Sequence, residues 1–193
     1  MKRNILFPMF LVLAAAIVLP ATPAKAFTPW GAIYDAARDE RSVGDITADK
    51  KISTEIKAAL VDRDGKLGLA VKVYCYLGKV TLLGQLADEK FKGFAEATAK
   101  KTKGVRGVST HWVAPGKEDT TAADLEIAAK LRAALVGDKQ ISATQVEAEV
   151  FGGKVFLIGM VRSQKDADRS VAHAKAIKGV TGVTSLLIPP RKK

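Results

Sequence analysis

Cysteine is almost absent from this chain. Cys75 stands alone, so no intramolecular disulfide can form and the fold must be held by its hydrophobic cores. Histidine is nearly as scarce. His111 and His173 are the only two, and neither lies in a spacing that ligates a metal ion. No serine sits in a nucleophile-elbow context, and no glycine-rich loop follows a strand and opens a helix as phosphate binding requires. Catalysis needs convergent groups of complementary type. Their absence argues against an enzyme, and nothing in the sequence calls for a cofactor or a metal.

A long apolar run is missing as well. The stretch from Ile5 to Leu19 is broken by Pro8, ends at Pro20 and is too short for a good membrane span. With Lys2 and Arg3 before it and Ala24-Lys25-Ala26 behind it, residues 1–26 have the anatomy of a signal peptide cleaved before Phe27. The cleavage region has no cysteine to carry a lipid, so the expectation is an exported, soluble mature chain that is not a lipoprotein. Cys75 alternates with Val71 and Val73, which predicts a buried structural thiol rather than a reactive one.

What the sequence does contain, it contains twice. Lys57-Ala58-Ala59-Leu60-Val61 returns as Arg132-Ala133-Ala134-Leu135-Val136. Gly78-Lys79-Val80-Thr81-Leu82-Leu83-Gly84 returns as Gly153-Lys154-Val155-Phe156-Leu157-Ile158-Gly159, and Lys103-Gly104-Val105 as Lys178-Gly179-Val180. All keep one offset of 75 residues, and pairing 45–115 with 120–190 gives 23 identities in 71 positions without an insertion. Turn lengths therefore match along with core positions, and the chain is two copies of one small domain. The expected organisation is a signal peptide at 1–26, a lead-in at 27–44, copy one at 45–115, a linker at 116–119, copy two at 120–190 and a basic tail at 191–193.

Within each copy the hydrophobic period changes from helical to alternating and back. Ile52, Ile56 and Leu60, matched by Ile127, Leu131 and Leu135, recur every fourth residue and line one helix face. The first helix is expected to begin near Asp45 to Thr47 in copy one, and near Thr121 in copy two, with Thr121 as the cap and Asp124 as a first-turn acid. Val71 to Tyr76 and Lys79 to Gln85 form a hairpin about Leu77-Gly78, which becomes Gly152-Gly153 in copy two. Helix formers fill 89–103 and 164–177, each stopping at a Lys-Gly step suited to a left-handed cap. Last strands follow at 107–113 and 182–188. The fold class is α+β: a tandem repeat of two αββαβ two-layer domains, each a three-stranded mixed sheet with two helices on one face.

Two helices cover one face of such a sheet and leave the other bare. Val71, Val73, Cys75, Val80 and Leu82 point to the helices, whereas Tyr74, Tyr76 and Leu83, with Phe151, Phe156 and Ile158 in copy two, point away. Large exposed apolar patches are rare. Candidate covers are the other copy or the N-terminal segment with Trp30 and Tyr34, the remaining reading being a peptide or lipid groove. His111, on the last strand beside Trp112, is expected at a surface or an interface.

Charge narrows the partners. Removing Lys2, Arg3 and Lys25 leaves 28 basic against 20 acidic residues, 28 − 20 = +8 for the mature chain. That charge favours anionic partners, although charge of this order also serves solubility alone. An exported chain meets anionic envelope surfaces before nucleic acid, so no nucleic-acid partner is expected. Copy one carries 13 − 8 = +5 and copy two 9 − 7 = +2. Lys100, Lys101 and Lys103 cluster where the second helix of copy one ends. They serve either that helix C-terminus or an anion.

The αββαβ order, the Gly-Lys-Val-x-Leu-x-Gly hairpin of each copy, the terminal Val-x-Gly-Val strands and the lead-in Asp39-Glu40-Arg41-Ser42-Val43-Gly44-Asp45 together resemble the BON (bacterial osmotic-stress and nodulation) domain, in its dual-domain envelope form. The resemblance implies a non-enzymatic periplasmic protein that binds anionic phospholipid or another membrane surface and supports outer-membrane integrity or osmotic-stress tolerance. It also implies lipid contact through the first helix of copy two, with Lys130 and Arg132 as head-group contacts. That helix lacks aromatic anchors and carries Asp124 and Glu126 at its head, which speaks against deep insertion. The alternative is a chaperone-like or structural module that engages envelope proteins through its apolar sheet faces. Salt separates the two, since contacts between exposed charges are screened and apolar ones are not.

Overall fold

The computed structural model describes residues 42–141 and 146–190. The signal peptide expected at 1–26, Trp30, Tyr34 and the tail at 191–193 lie outside the described residues. Copy one runs α1 (Val43–Arg63), α2 (Gly65–Ala70), β1 (Lys72–Tyr76), β2 (Lys79–Gln85), α3 (Glu89–Lys101) and β3 (Gly107–Val113). Copy two runs α4 (Thr121–Gly137), β4 (Val146–Phe151), β5 (Lys154–Met160), α5 (Gln164–Ala176) and β6 (Gly182–Ile188).

Both sheets share one topology. The hairpin strands pair antiparallel, the last strand pairs parallel to the second, and the middle strand is β2 or β5. The register is conserved at the repeat offset, Val80 lying opposite Val108 as Val155 lies opposite Val183. Leu77 and Gly78 both have positive φ, as do Gly152 and Gly153. Two such residues between antiparallel strands make a hairpin turn whose twist matches that of the strands.

The helices lie on one face of each sheet, as the alternation of side chains requires. In copy one Ile52, Ile56 and Leu60 pack with Val71, Cys75, Val80, Leu82 and Phe91; in copy two Ile127, Leu131 and Leu135 pack with Val146, Val155 and Leu157. Each fully buried aliphatic side chain is worth about 1.5–3 kcal/mol. Cys75 is buried, with its Sγ 3.2 Å from Asp49 Oδ1.

The bare faces cover one another. Leu83, Val113, Phe156 and Ile158 form a third core between the two sheets, flanked by Tyr74, Tyr76, Phe151 and Leu186. The layers therefore run helix, sheet, sheet, helix. His111 lies in this interface, its ring 6.0 Å from that of Phe156.

Three local expectations need correction. α1 begins at Val43, because the Ser42 hydroxyl accepts a hydrogen bond from the Asp45 amide and starts the helix earlier. α4 begins at Thr121 with Thr120 at the cap position, but Thr120 Oγ1 donates to the Asp124 carboxylate at 2.9 Å instead of capping, and it is Asp119 Oδ1 that accepts from the Thr121 amide, at 2.9 Å. Copy one also has an additional helix, α2, whose first turn is held by the Asp64 carboxylate accepting from the Leu67 amide.

Candidate functional site

The hairpins are tied to the first helices by a carboxylate. Asp49, on α1, accepts from the amides of Leu77 at 2.7 Å and Gly78 at 2.8 Å. Its repeat partner Asp124, on α4, accepts from Gly152 and Gly153 at 2.8 Å each. The two positions fix how the first helix lies across its sheet, and so which of its faces turns outward.

On α4 the outward face runs Leu125, Ala129, Arg132 and Val136, spaced by four, three and four residues and therefore on one stripe. Leu125 is 66% and Val136 61% exposed, among the most exposed large apolar side chains of the described residues. Sequence reasoning selected the cations of this helix and missed its apolar pair. Their spacing of eleven residues was readable, but the stripe competes with the stronger Ile127, Leu131, Leu135 period that faces the core.

The predicted cations differ in availability. Arg132 sits within the stripe and directs Nη1 toward the Val146 carbonyl at 3.4 Å, so its guanidinium also secures the start of β4. Lys130 is exposed on the flank and pairs with Glu126 at 2.5 Å, one turn earlier; this hydrogen bond and the lysine's charge hold the Glu126 carboxyl below its usual range. Lys100 pairs with Glu96 at 2.6 Å at the end of α3, and Lys101 stands exposed in the same last turn. Lys103 is exposed just beyond it, ahead of Gly104, whose φ of 93° makes the turn that follows the helix cap Thr102. The lysine cluster and the α4 stripe belong to different copies.

His173 and Arg169 of α5 both reach Asp138 at the end of α4, His173 Nε2 at 2.9 Å and Arg169 Nε at 3.2 Å. The hydrogen bond from His173, then the Gln140 amide and Arg169, hold the Asp138 carboxyl at about 2. This cluster joins two helices of one copy and lies apart from the stripe. Among the described residues no group of His, Cys, Asp and Glu could hold a metal ion, and no helix is long and apolar enough to cross a membrane.

On α1 the equivalent face carries Lys50, Thr54, Lys57 and Val61, each 75 residues before its α4 counterpart. Here α2 folds back beside β1 and the face becomes one wall of a groove of about 700 Å³. Lys57 Nζ donates to the carbonyls of Gly68, Leu69 and Val71 at 2.6, 3.1 and 2.5 Å. Burial, then the charge of Lys72, pushes its ammonium below the usual lysine range.

Two αββαβ units joined face to face, each with its first helix presenting an outward stripe, define a tandem two-layer α/β protein. Both units match the BON domain, over residues 48–111 and 123–188, and the chain belongs to the BON-domain family. It is 34% identical to Osmotically-inducible protein Y of Escherichia coli (strain K12) over 149 residues, 73% of this chain and 72% of that one. It is 27% identical to the outer membrane lipoprotein DolP of Haemophilus influenzae (strain ATCC 51907 / DSM 11121 / KW20 / Rd), over 90% of this chain and 91% of that protein. A 21 kDa hemolysin of Actinobacillus pleuropneumoniae is 27% identical over 77% of this chain and 78% of its own length.

Proposed function

We propose that this chain is exported by a cleaved signal peptide at residues 1–26, acts in the periplasm without catalysis, and lays the outer face of α4 on an anionic phospholipid surface to support envelope integrity under osmotic stress. The observation that carries the reading is the α4 stripe: Leu125 and Val136 exposed at either end, Arg132 between them and Lys130 on the flank. Two aliphatic side chains without an aromatic anchor suit shallow seating at the headgroup boundary rather than insertion. Basic side chains near an anionic surface contribute about 1 kcal/mol each. The relatives' names, one osmotically inducible and one of the outer membrane, agree with this setting.

The protein-binding alternative loses its surface, because the apolar sheet faces it needs are packed against each other. Lys100, Lys101 and Lys103 remain a competing anion contact on copy one.

Cosedimentation of the mature chain with neutral and anionic vesicles tests the proposal. Binding should require anionic lipid and weaken steeply with salt. Lys130→Glu should weaken it several-fold, and Leu125→Ser with Val136→Ser should do the same without lowering stability. Arg132→Glu should also weaken it, but this variant needs a melting control because Arg132 holds the Val146 carbonyl. Equal binding to neutral and anionic vesicles at low salt, or loss of binding only on reversing Lys100, Lys101 and Lys103, would overturn the α4 assignment.

A further inference from the structure

The groove of copy one has the parts of a strand-addition site. One wall is the α1 face with Lys50, Lys57 and Val61; the other is the edge strand β1 with Val71 just before it, the consecutive residues Val71 to Tyr74 all lining the opening. Four consecutive residues reach a single groove only if it runs along the strand's edge rather than over one sheet face, since alternate side chains point to opposite faces.

The hairpin register shows which backbone groups this edge offers. Tyr76 pairs with Lys79 across the two-residue turn, Tyr74 with Thr81 and Lys72 with Leu83. In such a hairpin the pair flanking the turn exchanges hydrogen bonds, and bonded and non-bonded pairs then alternate. Val73, opposite Leu82, falls on a non-bonded pair, so its N–H and C=O point away from β2 into the groove. Among the described residues no backbone hydrogen bond from another element reaches Val73. The next outward carbonyl toward the strand's start, that of Val71, is already held by Lys57. The edge is sealed at one end and offers a donor and an acceptor at Val73.

Charge selects the occupant. Lys50, Lys57 and Lys72 line the groove against one carboxylate, Glu149 of β4, which already accepts from the Tyr74 hydroxyl at 2.5 Å and lies 3.7 Å from Lys72. Acidic groups gather only toward the hairpin end, where Glu147 is exposed and Asp49 is engaged with the turn amides. The repeat-equivalent face of copy two has Leu125 where copy one has Lys50. The same helix face is thus cationic beside an open strand edge in one copy and apolar in the other.

We propose that the groove between α1 and the edge of β1 binds an extended, carboxylate-bearing polypeptide segment by strand addition, its backbone pairing with Val73 and its carboxylates set against Lys50 and Lys72. Main-chain bonds supply attachment in this mode and side-chain pockets supply selectivity. The small side chains Ser53, Thr54 and Ala58 on the α1 wall leave room for the added strand.

The test uses the full mature chain and a short blocked peptide of alternating valine and glutamate, followed by amide NMR and hydrogen exchange. The peptide should shift the Val73 amide and slow its exchange, and Lys50→Glu with Lys72→Glu should weaken binding by about tenfold, the effect of losing one or two charge-assisted contacts. Both lysines are exposed, and an unchanged melting temperature confirms that the double variant is folded. A valine–lysine peptide should not bind, nor should a valine–glutamate peptide N-methylated at alternate residues, which keeps the charge and removes strand donors. Three results would each overturn the proposal: undiminished binding of the N-methylated peptide, insensitivity to the double charge reversal, or the same Val73 shift from anionic vesicles or free glutamate. None of these outcomes depends on α4, so the lipid proposal stands or falls separately.

Discussion

Asp49 is identical to Asp124 at the repeat offset, and the structure gives the pair one task. Each accepts from both amides of a two-residue turn 28 and 29 positions later. Asp49 is the more buried, at 4% exposed, and has the Cys75 thiol as a third neighbour. Asp49→Ala should cost about 2–3 kcal/mol in urea denaturation, because the buried Gly78 amide and the partly buried Leu77 amide lose their acceptor. Asp124→Ala should cost less, since water can reach its half-buried site. Equal and negligible losses would show that the turns hold themselves. The coincidence of two aspartates at one repeat position was visible in the sequence. Their partners were not, because a contact 28 residues away leaves no local pattern.

Among the elements, α2 escaped sequence reading because six residues containing Gly65 and Gly68 have too little periodicity to register as a helix. Its presence depends on a close crossing: a Cβ on Gly68 would lie 2.4 Å from the Leu60 carbonyl oxygen and 2.5 Å from the Val61 nitrogen. Both are backbone atoms that cannot swing aside. Gly68→Ala should therefore cost about 1–3 kcal/mol through overpacking and lower the melting temperature. It should also move α2 off α1, with loss of the Lys57 contacts to Gly68 and Leu69 detectable as faster exchange of the amides around Val71. An unchanged melting temperature would show that the crossing relaxes freely. The long elements, by contrast, were legible almost to the residue. Gly104 and Gly179 have the positive φ that their Lys-Gly steps predicted, but α3 and α5 end earlier, on the extended cap residues Thr102 and Ile177, and each glycine serves the turn that follows.

The whole molecule is joined by a contact between repeat-equivalent positions, Tyr74 donating to Glu149 at 2.5 Å. Burial first, then the bond to Glu149 and nearby acidic charge, pushes the Tyr74 phenol far above its ordinary value of 10. The sign follows from linkage. A fold that favours the neutral phenol keeps this contribution below pH 10 and loses it as pH rises beyond the unfolded-state value. Alkaline titration should therefore loosen the two copies together above pH 10, and Tyr74→Phe should make that decline shallower by up to one proton equivalent. Urea melts at stepped pH measure it. Identical slopes for both proteins would mean that the phenol ionises without opening the interface.

The duplication, the strand order and the core faces of helices and strands follow from periodicity and one constant offset, because those are properties of neighbours along the chain. Ile52, Ile56 and Leu60 had to face a sheet, and Leu83, Phe156 and Ile158 had to be covered by something. What covers them was open between the other copy, the N-terminal segment and a bound peptide or lipid. The tertiary structure decided for the other copy, because apolar side chains of both bare faces pack together into one core. It also decided that one helix face meets opposite fates in the two copies. On α4 the stripe from Leu125 to Val136 stays exposed, while on α1 the same positions wall a cationic groove. That difference depends on where α2 and the edge of β1 lie in space, which no spacing within the chain records.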